Sequence, residues 1–456
     1  MGCCYLGTEK ENHSLILLVM PNPFILHIDC NSFYASCEVS LRPELKGKPV
    51  VVANYNEAGG GIILALSKEA KALGLKRGNP VFQVREILEK HQVTVFPSNL
   101  AKYVDISRRI VKIVEELDMV QDFCRYSVDE FFATIPEIKK REDIVSFVGI
   151  IKEAIEHGID IPVSCGIAPT YTLAKVATWY AKRYEGYKGI CVLEKEHVEK
   201  ALRGLPVNDI WGVGWRTAPK MKKMGILTAW DYVQRPKSFI QSRFHITGVR
   251  TWMELQGIPA IDISTPPKQQ SIMHSRTFTY MVSDRNKLSD FIRDYSVAVA
   301  RKLRDQHSVC QSVTVFIHTN RHREDLDQYA NGFTVHLKEG TADTSVIIKA
   351  ALQAFDTVFL PHYQYKRAGV LLGDIISDEA VQQDLFASSG EEIKKNRRLM
   401  KVTDGINTRY GMNTVQPASL LITPEEQKKT AEQRNGLKFE PFLSQTTNLD
   451  DVIEVK

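Results

Sequence analysis

The chain has 456 residues, of which 43% are hydrophobic and 25% charged, with a formal net charge of +5. That length exceeds what one hydrophobic core organises, so several domains are expected, and the composition excludes a disordered or membrane-embedded chain. The mild positive charge permits a polyanionic partner without requiring one. The 8 cysteines are scattered and no histidine cluster accompanies them, which argues against a zinc site and for reduced, cytoplasmic thiols.

Along the chain, Ser14–Met20 (SLILLVM) is apolar but too short to span a bilayer, and it runs into Pro21 and Pro23 without a small-residue cleavage site. The Met1–Cys4 start resembles a lipidation signal, yet Leu6 stands where the myristoylation pattern wants Ser or Thr. Residues 1–22 are therefore expected to be a loosely ordered extension, with Met20 an alternative first residue, and no membrane partner is expected.

Phe24–Asp29 is a short apolar strand ending on an acid, and helical spacing follows from Asn31 through Phe33, Tyr34 and Cys37. Val50–Ala53 reads as a buried strand, 54–61 as a glycine-rich loop, and Ser67–Leu73 as a helix ended by Gly74. Ser98 and Asn99 are cap candidates for a helix marked by Tyr103, Ile106, Ile110, Ile113 and Leu117 at three- and four-residue steps. Strands around Phe123–Tyr126 and Phe131–Ile135 meet at Ser127–Glu130. Asp143 opens a helix closed by Gly158, Ile161–Ala168 is a strand, and Thr172–Arg183 a helix. This order predicts an antiparallel sheet with helices on one face. Two short helical patterns then flank Ile210–Trp215, Ile263–Lys268 (ISTPPK) reads as a linker, and a mixed α/β module follows with strands near Ser312–His318 and Phe333–Leu337. Beyond Asp374 the chain is polar and predicts a tail with only local structure.

Asp29 and the pair Asp129–Glu130 are the candidate chemistry. Phosphoryl transfer uses hard oxygen ligands around Mg²⁺, and two ions roughly 3.5–4 Å apart stabilise both attacking and leaving oxygens. Three carboxylates from two strands could bridge such a pair, with the Cys30 carbonyl helping. Acids at strand ends commonly just face water, but a carboxylate pair between the apolar stretches Tyr126–Val128 and Phe131–Phe132 is unusual. Phe33 and Tyr34 are either core aromatics or a ring beneath a nucleotide sugar. Lys71 and Lys182 are either solvated helix lysines or triphosphate contacts. Trp211–Gly214 (WGVG) resembles a helix-hairpin-helix turn, in which Gly212 and Gly214 let the backbone N–H groups grip a DNA phosphate, and Lys220, Lys222 and Lys223 follow it. Ile246–Arg250 (ITGVR) is a second such candidate. Gln382, Leu385 and Phe386 form an apolar anchor in a polar tail, either one turn of helix or a docking peptide.

Taken together these motifs resemble the Y-family lesion-bypass DNA polymerases of the UmuC type, the catalytic subunits of DNA polymerase V. Asp29–Glu38 (DCNSFYASCE) is similar to the first motif of that family, continued by Arg42–Val51 (RPELKGKPVV) and Glu69–Leu75 (EAKALGL). Ser127–Glu130 (SVDE) is similar to the second metal motif, Lys268–Phe278 (KQQSIMHSRTF) to the start of the little finger domain, and Arg398–Gly411 to the UmuC-type tail. The resemblance runs from about Phe24 to the C-terminus.

It implies an α+β multidomain chain with a ferredoxin-like palm (23–32 and 99–189), fingers (33–98), a helical helix-hairpin-helix thumb (190–262), a linker (263–268), an α/β little finger (269–374), and a clamp-binding peptide and tail (375–456). Asp29, Cys30, Asp129 and Glu130 would bind two Mg²⁺ ions, Glu130 being essential for the ion that activates the primer hydroxyl. Tyr34 would be the steric gate against ribonucleotides, beside Phe33, and Lys71 and Lys182 would contact the triphosphate. Implied partners are primer–template DNA, deoxynucleoside triphosphates, a sliding clamp bound through Gln382, Leu385 and Phe386, a UmuD-like subunit and a RecA filament, all in the bacterial cytoplasm. Lys68, where many members carry a phosphate-binding tyrosine, and Gly59–Gly61 with Leu66 depart from the family pattern. The rival readings are a nucleotide cyclase on a similar palm and a non-catalytic DNA-bound scaffold that recruits clamp or RecA. The hairpin argues against the first and the intact carboxylates against the second.

Overall fold

In the computed structural model, residues 24–54, 61–138, 140–264, 268–380, 390–411 and 414–418 are described. They form two compact units that divide between residues 264 and 268, within the segment expected to be a linker.

In the first unit, β1 (Phe24–Cys30) turns through Ser32, whose backbone is left-handed, into α1 (Phe33–Ser40). β2 (Val50–Ala53), β3 (Ile63–Leu66), α2 (Lys68–Ala72), α3 (Arg85–Lys90) and β4 (Thr94–Pro97) follow. These strands make a three-stranded sheet in the order β3-β2-β4, packed on a small core of Val51, Ile63, Leu66, Leu75 and Leu88. Next come α4 (Leu100–Leu117), β5 (Gln121–Arg125), β6 (Glu130–Ile135), α5 (Arg141–Ile159), β7 (Val163–Ala168), α6 (Tyr171–Arg183) and β8 (Ile190–Val192). Asn99 caps α4 as expected, its side chain accepting from the Lys102 N–H at 3.0 Å.

The main sheet has the order β5-β6-β1-β7-β8, with β1 antiparallel to both neighbours. Alternation along β1 sends Leu26, Ile28 and Cys30 to one face, where Ile106, Ile110 and Val114 of α4 and Ile144, Val148, Ile151 and Ile155 of α5 bury them. His27 and Asp29 point the other way, toward α6. The sheet is thus covered on both faces, not on one as its element order suggested. Element order fixes connectivity but not which face a crossover helix takes.

Four helices complete the unit: α7 (Lys195–Gly204), α8 (Ala218–Lys223), α9 (Ala229–Val233) and α10 (Lys237–Leu255), which breaks at His245. Buried Glu254 ties α10 to the start of α6 by accepting from the Thr172 N–H at 2.9 Å, while Thr170 Oγ1 donates to the Glu254 carbonyl at 2.8 Å.

The second unit contains β9 (Ile272–Val282), α11 (Arg285–Asp305), β10 (Ser308–Thr319), β11 (Ala330–Thr341), α12 (Thr344–Val358), β12 (Tyr365–Ser377) and α13 (Gly390–Tyr410). Its sheet, β11-β10-β12-β9, is antiparallel throughout and packs on α11 and α12 through Ile292, Val299, Ala351 and Phe355. The tail expected to hold only local structure carries the 21-residue α13, which Arg304 fastens to α11 by a paired bond to Asp404 at 2.6 and 2.9 Å.

Candidate active site

The acids meet because two strands pair. β1 and β6 run antiparallel with Asp29 directly opposite Glu130, and the Cys30 N–H donates to the Asp129 carbonyl at 2.9 Å. Strand pairing therefore gathers all three carboxylates at the end of the central strand, although a hundred residues separate them in the chain.

Each carboxylate has a donor of its own. Lys182 of α6 forms an ion pair with Asp29. Ser127 Oγ donates to Asp129 Oδ1 at 2.5 Å and accepts from the Asp129 and Glu130 N–H groups at 3.2 and 3.1 Å, fixing the turn. Lys175 Nζ donates to Glu130 Oε1 at 2.5 Å, and buried His27 places Nε2 at 3.6 Å from the same oxygen. His27 Nδ1 is tied to Thr178 Oγ1 of α6 at 2.8 Å. With each acid drawn to a separate donor, the three do not converge on one point. Among the described residues the only acid and histidine group whose ligand atoms lie within 4.8 Å of one another is the solvent-facing Glu194, Glu196 and His197.

Electrostatics follow from this layout. Burial pushes the Asp29 carboxyl above the ordinary carboxylate range despite Lys182. Burial acts the same way on Glu130, but His27 and Lys175 outweigh it and hold that group at about 2. Burial lowers His27 to about 4, so its ring is neutral at pH 7. The Cys30 thiol is driven well up by burial, which leaves its backbone carbonyl as the donor it can offer a metal. A set of hard carboxylate oxygens with the charge-neutralising lysines beside it is a donor set that suits Mg²⁺.

The proposed nucleotide contacts lie alongside. Phe33 is buried in the core at 3% exposure, so Tyr34 is the ring of the pair at the surface. The Tyr34 hydroxyl is raised by burial and by the Asp129 charge, against the pull of Arg77. Lys71 Nζ donates to Ser32 Oγ at 2.7 Å, and burial, with a smaller contribution from the charge of Lys182, lowers its pKa. Lys68, by contrast, is an exposed residue at the start of α2.

Gly212 sits at φ 88°, where a side chain would be strained, in the turn before α8, and Lys220, Lys222 and Lys223 are exposed on that helix. Gly214 starts the next turn, its carbonyl accepting from Thr217 and Ala218. Gln382, Leu385 and Phe386 lie outside the described residues, as do residues 1–22 and most of 54–61.

Residues 28–179 match the impB/mucB/samB family, 195–226 its helix-hairpin-helix motif and 269–385 its C-terminal domain. The chain is 35% identical to Protein ImpB of Salmonella typhimurium over 88% of its own length and 94% of ImpB. It is 34% identical to Protein UmuC of the same species, covering 85% and 91%. The chain belongs to the impB/mucB/samB family. It is a UmuC-type member of the Y-family DNA polymerases. More distantly, it is 27% identical to DNA polymerase IV of Bacillus velezensis over 89% of this chain and 94% of that one. A solved Y-family DNA polymerase chimera shares the fold, with a TM-score of 0.60 at 22% identity over 78% of this chain and 99% of that one. The fold is thus the multidomain one of such polymerases, with palm, fingers, a helix-hairpin-helix thumb and little finger.

Sequence reasoning missed Lys175 and His27. A signal was available for both: Lys175 lies seven residues before Lys182, two turns away on the same helix face, and His27 shares a strand face with Asp29. Among the described residues no helix is long and apolar enough to cross a membrane.

Proposed function

We infer that this UmuC-type chain performs translesion DNA synthesis in the DNA damage response by metal-assisted nucleotidyl transfer. The primer 3′-hydroxyl gives up its proton to solvent and its oxygen forms a bond to the α-phosphorus of a deoxynucleoside triphosphate, while the bond from that phosphorus to the α–β bridging oxygen breaks and pyrophosphate leaves. The observation that carries the site assignment is the register of Asp29 opposite Glu130, with Asp129 bonded to the Cys30 backbone between them.

Asp29, Asp129, Glu130 and the Cys30 carbonyl are the groups that would hold two Mg²⁺ ions, which when bound supply charge for the attacking and leaving oxygens. Lys71, bonded to Ser32, and Lys182, paired with Asp29, would offer the triphosphate positive charge. Tyr34 closes the sugar side of the site. Gly212, Gly214 and the lysines of α8 hold duplex through its phosphates, so the grip is independent of sequence. Partners follow from the UmuC-type reading: a UmuD-like subunit, a RecA filament, and a sliding clamp engaged by Gln382, Leu385 and Phe386, all in the bacterial cytoplasm.

The deciding experiment is primer extension with Mg²⁺ and any required partner subunits. Asp129→Ala is expected to lower extension by at least about 100-fold, since removing even an outer supporting group costs 10–100-fold. Wild-type extension by that variant would sink the assignment.

A further inference from the structure

Lys175 stands between the Glu130 carboxylate and the thumb. Its Nζ donates to Glu130 Oε1 at 2.5 Å, and it also lies 5.1 Å from the ring centre of Tyr126, 5.7 Å from Phe132 and 5.3 Å from Trp211. The three rings touch one another: Tyr126 meets Trp211 edge-on at 5.5 Å and Phe132 at 5.6 Å, and Phe132 lies 6.1 Å from Trp211. Phe132 lies on β6, which begins at Glu130, and Tyr126 lies in the connection from β5 to β6 that also holds Asp129. Trp211 lies in the thumb turn that contains Gly212, just before the turn that Gly214 starts.

Two properties of this arrangement exceed ordinary packing. First, the Lys175 side chain is only 14% exposed, so the attraction of its ammonium to the rings and to the carboxylate is poorly screened. Second, among the described residues every partner of the Glu130 carboxylate lies on Oε1: Lys175 at 2.5 Å and His27 at 3.6 Å. One oxygen is anchored while the other is left for a cation.

We propose that Lys175 is a positioning residue that couples the Glu130 carboxylate to the thumb turn, holding Oε1 so that Oε2 meets a divalent cation, and that cation binding shifts the ammonium against the Trp211 ring. This rests on Glu130 being a metal ligand. Because coupling between two sites is reciprocal, a duplex seated on the thumb turn biases the carboxylate by the same linkage.

The test is a Mg²⁺ titration of the full chain with a deoxynucleoside triphosphate and no DNA, so that nothing turns over. Calorimetry reports binding, and the emission of Trp211 is taken as the difference between wild type and Trp211→Phe. The expected result is a saturable emission change with the midpoint of Mg²⁺ binding, lost in Lys175→Met and retained in Lys175→Arg. Mg²⁺ binding without an emission change, or an unaltered change in Lys175→Met, overturns the coupling and leaves the metal site standing. Absence of binding, or binding unaltered by Asp129→Ala and Glu130→Gln together, overturns the metal site and the coupling with it. Lys175→Arg and Trp211→Phe keep the outcome decisive if the methionine variant misfolds.

Discussion

Tyr34 and Tyr103 stack with ring centroids 4.4 Å apart and planes 16° from parallel. Tyr103 is itself pinned, its hydroxyl donating at 2.8 Å to Glu38, a buried carboxylate that also pairs with Lys102 at 3.0 Å and Arg42 at 2.8 Å. The ring proposed to exclude a 2′-hydroxyl therefore has a rigid backing that reaches a buried ion network. Tyr34→Ala is expected to raise ribonucleotide incorporation relative to deoxynucleotide by at least tenfold, read from single-nucleotide insertion. Tyr103→Phe keeps the stack but removes a donor from a buried charge, at a cost of about 1.5–3 kcal/mol in a urea melt.

Asp29 illustrates a site that costs stability. Three carboxylates share one sheet end, and burial, with a lesser contribution from the Glu130 and Asp129 charges, disfavours the charge on Asp29 even with Lys182 beside it. In EDTA at neutral pH, Asp29→Asn is expected to be more stable than wild type by about 1 kcal/mol, because it removes a disfavoured charge while Lys182, 31% exposed, stays hydrated. Added Mg²⁺ should reverse the order, stabilising wild type by mass action and leaving the variant nearly unmoved. Thermal melts with and without metal check both signs.

The acids were legible because each falls at the end of an apolar strand, and the Asn99 cap because a cap and its helix are local. Lys175 and His27 carried only a shared helix face and a shared strand face as signals, since their meaning depends on pairings 45 and 151 residues apart in sequence that the packing of α6 on the sheet creates. The helix α13 was misjudged for a related reason. Its sequence is polar along most of its length, and what holds it includes the Arg304–Asp404 pair, bridging 100 residues. Element order gave the main sheet its connectivity but left the face of α6 undetermined.

The α8 lysines provide a test that separates grip from chemistry. Lys220, Lys222 and Lys223 are exposed and placed just past the Gly212 turn. Replacing all three with Gln should weaken primer–template binding about equally for any sequence. The slope of log affinity against log salt should fall by up to about 2.7, since each DNA phosphate that is no longer neutralised lowers it by about 0.9. An unchanged slope in anisotropy titrations across salt concentrations would place the phosphate grip elsewhere on the chain.

Gly166 decides how close α6 lies to the sheet. It pairs with His27 across β7 and β1, and a Cβ there would sit 2.2 Å from the Ala174 carbonyl oxygen and 2.3 Å from the Thr178 nitrogen, both backbone atoms of α6. No flexible side chain can yield, so Gly166→Ala must push the helix outward. That helix carries Lys175 and Lys182, both bonded to the acids. The expected loss is about 1–3 kcal/mol of stability, and in the protein that still folds a rise in KM for nucleotide, as Lys182 is displaced. Gly149→Ala on α5 is the matched control, because the nearest atom to its Cβ is a flexible Ile190 methyl at 4.0 Å. In mid-helix that change should stabilise by up to about 1 kcal/mol. Urea melts and insertion kinetics on the two variants should diverge in sign for stability. A Gly166→Ala protein as stable and as active as Gly149→Ala would mean that the helix is not held at the distance that aligns its lysines with the acids.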